Sequence, residues 1–234
     1  MLTLPTTLEN RSVFLFVAPV YEIQHGKTDR YTTGMSHASA AAPAGPRPRE
    51  RILATARTLF YRVGIHATGV QRLAEAAHAS KRTLYEYFPS KNQLVEAYLR
   101  GIEENGGIPN ERALDNPGTP RSRLLAIFDS APADRFRGCP FHNAAVEAAD
   151  EMPGVHHIVH EHKLWFIGRL IETATQAGAR DPYRLGHQLA VLFEGALALA
   201  TSLNDTSPLL HARSAAEILI DAAVAAAPAR SSKV

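Results

Sequence analysis

One stretch of this 234-residue chain restricts its fold more than any other: RILATARTLFYRVGIHATGVQRLAEAAHASKRTLYEYFPSKNQLVEAYL, from Arg51 to Leu99. Its apolar residues recur at helical spacing and stop at Gly, Ser and Pro, so it reads as four short helices. The first runs from Arg49 to Val63, with Ile52, Ala56, Leu59, Phe60 and Val63 on one face, and Gly64 ends it at the C′ position. Thr68 opens the second, with Gln71 completing a T-x-x-Q capping box and Val70, Leu73, Ala74 and Ala77 as its inner side. After the short His78-Ala79 connection, Ser80 caps a third helix over Lys81–Tyr87, and Pro89 breaks it. Ser90 and Gln93 form a second capping box, opening a fourth helix toward Leu99. The second and third helices, with the tight turn between them, make a helix-turn-helix.

Charge is concentrated in the same stretch. The chain as a whole is only +2, but residues 47–100 hold ten Lys/Arg against four Glu, which makes this segment +6 and the rest −4. A basic module on a mildly acidic body suits a polyanion as partner for that module alone. The third helix begins Ser80-Lys81-Arg82-Thr83, and its N-terminal end carries partial positive charge and free N–H groups. Pointing that end into a major groove brings Lys81 and Arg82 within reach of phosphates or guanine edges. Leu84 and Phe88, four apart, face inward onto Leu59, Phe60 and Leu73. Tyr85 and Tyr87 lie on other faces, where a phenol donates to a phosphate.

The remaining chain is helical too, and no strand pattern competes. Residues 1–46 are a mixture of Thr, Pro, Gly and Ala without a sustained period, and read as a disordered leader. Met35 offers an alternative native start, and a DNA-touching arm is the competing reading. Helices are expected from Pro120 to about Ala131, Phe141 to Ala149, Pro153 to Ala177, Pro182 to about Leu203 and Pro208 to Ala226, with a frayed tail at 228–234. The expected division is a helix-turn-helix domain at 47–95 and a helical domain at 96–227. No apolar run approaches the roughly 20 residues that span a bilayer, so no membrane partner is expected.

The segment Arg51–Leu99 resembles the DNA-binding domain of the TetR family of transcriptional regulators. The resemblance rests on Ala56, Leu59, Phe60, Gly64, Thr68, Val70, Leu73, Ala74, Ala77, Ser80, Thr83, Leu84, Tyr85, Tyr87, Phe88, Ser90, Lys91 and Leu94. The run T-L-Y-x-Y-F-x-S-K is its densest part. The resemblance implies an all-α protein whose N-terminal head binds an operator in double-stranded DNA and whose C-terminal helical domain binds ligand and dimerises. It assigns base reading to Lys81, Arg82 and Thr83, backbone clamping to Tyr85, Tyr87 and Lys91, and flanking contacts to Thr68 and Gln71. The plainer alternatives are core-rim aromatics for Tyr85 and Tyr87 and a solvated Lys91. Two positions depart from the pattern. His78 replaces the glycine common in the turn, and a histidine tolerates a left-handed backbone less well. Gly69 stands where a hydroxyl residue is frequent.

The resemblance also implies a homodimer, cytoplasmic and most simply a repressor, released by a small hydrophobic effector that the sequence does not identify. The last two helices are the expected dimer surface, with Gly186, Gly195, Ala196 and Ala200 allowing close approach and Leu189, Leu192, Phe193, Ile218 and Leu219 supplying apolar area. Filling of the subunit's own core is the alternative. Phe128, Phe141, His142, Val146, Trp165, Phe166 and Phe193 are the expected pocket lining, with plain core as the competing role for each.

Other chemistry finds little support. His156 and His160 are an i, i+4 pair that could hold a metal, but no second ligand set accompanies them and H-E-x-x-H is absent, so no metal is expected. Cys139, the single cysteine, has an apolar neighbourhood that favours an inert, buried thiol. There is no nucleophile–base signature, carboxylate pair in a motif, or phosphate loop, so neither an enzyme nor a cofactor is expected. A sensor of small molecules or metal with weak DNA binding is the rival reading.

Overall fold

The computed structural model describes residues 46–129, 136–148 and 151–225. The expected leader, the alternative start at Met35 and the frayed tail lie outside these residues. Among the described residues all regular structure is helical: α1 (Pro48–Arg62), α2 (Val70–Ala76), α3 (Lys81–Tyr87), α4 (Lys91–Glu103), α5 (Pro109–Arg112) with a 3-10 turn at Ala113–Asp115, α6 (Pro120–Ala126), α7 (Pro140–Ala148), α8 (Pro153–Gln176), α9 (Pro182–Leu203) and α10 (Ser207–Val224). Proline opens α1, α5, α6, α8 and α9, where its missing N–H is lost to no partner and its fixed φ suits the first turn. None of these helices is long and apolar enough to cross a membrane.

The head closes on Ile52, Ala56 and Phe60 of α1, Leu73 and Ala74 of α2, Leu84 and Phe88 around α3, and Leu94 and Val95 of α4. Phe60 meets Tyr98 edge-on at 5.7 Å between ring centres. The α4 helix then leaves the head and packs on α8; α8 packs on α9, and α9 on α10. Small residues set the closest approach, since a Cβ on Gly186 of α9 would come 2.5 Å from Ile171 Cγ1 of α8. Phe128, Phe166 and Phe193 form an aromatic centre, with Phe193 5.9 Å from Phe128 and 5.4 Å from Phe166.

Buried polar side chains in the body form one connected group. Glu111 is fully buried, accepts from the Ile108 N–H at 2.8 Å, and faces His162 Nε2 at 3.0 Å. The His162 ring stacks on Phe141 at 3.4 Å, and its Nδ1 lies 3.8 Å from Glu103 at the end of α4. The imidazole therefore joins α8 to both α4 and α5, two elements that no local sequence pattern connects.

Candidate nucleic-acid interface

The turn from α2 to α3 is held by backbone geometry. His78 sits at φ +49°, in the left-handed region where the sequence departs from glycine. The Ala79 N–H donates back to Ala74 O at 2.9 Å and closes the turn. Ser80 then caps α3, its hydroxyl accepting from the Thr83 N–H at 3.0 Å. Leu84 is fully buried and Phe88 nearly so, which clamps one side of the short helix to the head. The guanidinium of Arg49 covers the Phe88 ring at 5.4 Å.

The opposite side of α3 is open. Lys81 and Arg82 are exposed, and Tyr85 and Tyr87 are 45% and 43% exposed. Arg82 donates to Glu86 at 3.1 Å across one turn, with 89% of its side chain in solvent. Thr83 is half-buried, and its hydroxyl is shared with Ser80 at 2.9 Å. Gln71 is exposed on the first turn of α2, its amide donating to Glu75. Lys91, at the start of α4, is half-buried; desolvation lowers its pKa, opposed by Glu147 and Glu151.

Thr68 requires a correction. It is 1% exposed, and its hydroxyl donates to Gly64 O at 2.7 Å. It thus ties the loop back to the end of α1 and does not present an oxygen to a ligand. The capping box expected with Gln71 is absent, because the N-cap falls one residue later, at Gly69, and α2 begins at Val70. The α1–α2 loop compacts onto the head before the helix starts. The second expected box is half present: Ser90 accepts from the Gln93 N–H at 3.2 Å.

One tie that sequence reasoning missed fixes the head to the body. Glu147, near the end of α7, accepts from the Ile65 N–H at 2.6 Å and the His66 N–H at 3.1 Å in the α1–α2 loop. The His66 ring donates to Glu147 O. At the other end of α7, the Tyr61 hydroxyl donates to Gly138 O and accepts from the Arg137 N–H, both at 3.3 Å. These partners lie about 80 residues apart in the chain, beyond the reach of any periodicity.

The expected pocket residues divide. Phe128, Phe141, Phe166 and Phe193 are fully buried core side chains. Val146 is 74% exposed, and His142 and Trp165 also reach solvent, because α7 and α8 turn those faces outward. None of the seven borders the large cleft of about 940 Å3 that opens where α1, α4 and α5 meet residues 136–140 and α9. Elsewhere in the body, His156, His157 and His160 are exposed, while His162 is taken by Glu111. Among the described residues no group of three or more His, Cys, Asp or Glu is placed to hold a metal ion. Cys139 is 1% exposed, and burial pushes its thiol up to about 11, which keeps it protonated and unreactive near neutral pH.

A short helix clamped by its apolar side, capped at its N-terminus and lined outward by Lys, Arg and Tyr defines a helix-turn-helix DNA-binding protein. Comparison with known proteins narrows the class. Residues 52–98 match the family model described as bacterial regulatory proteins, tetR family. Residues 120–216 match a tetracyclin repressor-like C-terminal domain. An uncharacterised HTH-type transcriptional regulator of Mycobacterium tuberculosis is 30% identical over 181 residues, 69% of this chain and 88% of that protein. The regulator YxaF of Bacillus subtilis is 26% identical over 175 residues, 69% and 89% of the two chains. Among solved structures, a TetR-family regulator from Streptomyces coelicolor superposes with a TM-score of 0.67 at 30% identity, covering 76% of this chain and 96% of that one. The chain belongs to the TetR family of bacterial transcriptional regulators, which bind DNA and are not enzymes.

Proposed function

We propose that the protein is a cytoplasmic, homodimeric, ligand-responsive regulator, acting as a repressor at a near-palindromic operator. The observation that carries this reading is the outward face of α3, where Lys81, Arg82 and Tyr85 stand uncovered on a rigidly packed head. Lys81 and Arg82 read base edges, with Thr83 beside them. Tyr85, Tyr87 and Lys91 hold phosphates, and Gln71 flanks them on α2. Repression is favoured by the mycobacterial relatives named transcriptional repressor KstR2, one of which is 32% identical over 80 residues, 34% of this chain and 39% of that protein. A single head makes few base contacts, so two heads related by a two-fold axis bind half-sites about one helical turn apart, or a multiple of that.

Selection of bound duplexes from a random library tests this. Two inverted half-sites are expected. Tyr85→Ala with Lys91→Ala should weaken selected and random duplex alike and flatten the salt dependence. Arg82→Ala should relax the selected sequence more than it changes the salt slope. An unpaired motif, or identical response of both duplexes to Arg82→Ala, overturns the assignment.

A further inference from the structure

The large cleft was not anticipated, and its lining is chemically one-sided. Arg57 and Arg62 of α1 and Arg112 of α5 border it, and among the described residues no Asp or Glu does. Its walls are otherwise largely apolar, with Tyr98, Ile102 and Leu197 among them. Arg112 is committed, donating to Gly107 O at 2.8 Å. Arg57 and Arg62 make no hydrogen bond or ion pair to any described residue, although Glu and Asp elsewhere pair with Arg82, Arg121, Arg169 and Arg213. The Arg57 guanidinium reaches the cleft over Gly101, where any Cβ would collide with it. Clefts of about 300–1,000 Å3 hold ligands of drug-like size, oriented by a few polar groups in a mainly apolar wall.

We propose that this cleft is the effector site and that it takes an amphipathic organic anion. The acidic group is held by Arg57 and Arg62, and the apolar part lies along Tyr98, Ile102 and Leu197. Two guanidinium groups that find no carboxylate partner among the described residues supply charge-assisted donors that a carboxylate or sulfonate satisfies. The site lies between head and body, bounded by α1 on one side and by residues 136–140 on the other, where Tyr61 ties the two together. An occupant therefore bears directly on how the head is held, and this rests on the regulator reading above.

Matched probes test the charge requirement on the full chain. Decanoate is compared with decan-1-ol, and 8-anilinonaphthalene-1-sulfonate with neutral N-phenyl-1-naphthylamine, by calorimetry and fluorescence. At least one anion should bind tenfold or more tightly than its neutral partner, and inorganic phosphate should not replace it. Arg57→Gln with Arg62→Gln should abolish that preference while the neutral probe is unaffected. Gly101→Ala, which displaces Arg57, should weaken anion binding several-fold without lowering the melting temperature. Saturating anion should reduce duplex affinity in the native chain and leave it unchanged in the double-Gln variant. The proposal is overturned if neither anion is preferred, or if the Gln pair keeps the preference. Duplex binding without added probe is read separately, so its failure counts against the regulator reading and not against the site.

Discussion

His78 shows what one residue costs in the head. A non-glycine side chain in the left-handed region is disfavoured by about 1–2 kcal/mol, partly offset by the greater chain entropy that glycine loses on folding. At φ +49° the turn before α3 holds that strain. His78→Gly should raise stability by about 0.5–1 kcal/mol, read as a higher urea midpoint at unchanged slope. A lower midpoint would mean that the imidazole makes a contact of its own. The sequence pointed to this position, because His78 stands where the resemblance puts a glycine, among the four residues between α2 and α3. Thr68 is the opposite case. A T-x-x-Q spacing admits two starts for α2, and the choice fell to burial. The Thr68 hydroxyl finds Gly64 O inside the head, which leaves Gly69 as the cap.

At the scale of elements, α3 and α9 were evident from local signals alone. Ser80 and Pro89 bracket the first, and Asp181 caps the second by accepting from the Arg184 N–H at 2.9 Å. The short α5 was not foreseen, because a single turn has no period to detect. The function of α7 was equally hidden: it is tied to the head near both ends, through Glu147 and through the Tyr61 contacts. Hydrogen bonds to a charged acceptor contribute about 1.5–3 kcal/mol. Glu147→Ala should therefore lower stability by roughly 2 kcal/mol and speed amide exchange at Ile65 and His66 more than at Leu84. Uniform exchange across the head would show that the carboxylate does not hold this loop.

At the scale of the molecule, α9 and α10 carry an outer apolar face. Val191 and Leu199 of α9 and Leu210 and Ile218 of α10 are all more than half exposed, with Val191 at 74% and Ile218 at 71%. Gly195 lies on the same side of α9 with open space beyond it. Scattered exposed hydrophobics are ordinary, but two adjoining helices with such stripes are the face the proposed homodimer would use. Gly195 and Ile218 are among the residues expected on this surface, and others of that set face inward. Leu189, Phe193, Ala196 and Ala200 are buried within the subunit, and Gly186 serves the contact with Ile171. Val191→Asp with Ile218→Asp should convert a dimer to a monomer in analytical ultracentrifugation, while the helical circular dichroism persists. A dimer unchanged by the double substitution would move the interface elsewhere.

Spacing and punctuation suffice for the all-α class, for most helix ends and for a cationic α3, since each depends on residues within a turn or two along the chain. Which apolar side chains become core, which remain as outer stripes, and where a cleft opens depend on how helices lie across one another. Phe193 and Val191 are two positions apart and both apolar, yet one is fully buried and the other 74% exposed. The same holds for Arg57 and Arg62, whose cleft forms because α1 comes to face residues that follow it by some 40–140 positions. Short-range energetics select the helices; packing between distant segments selects the surfaces they present.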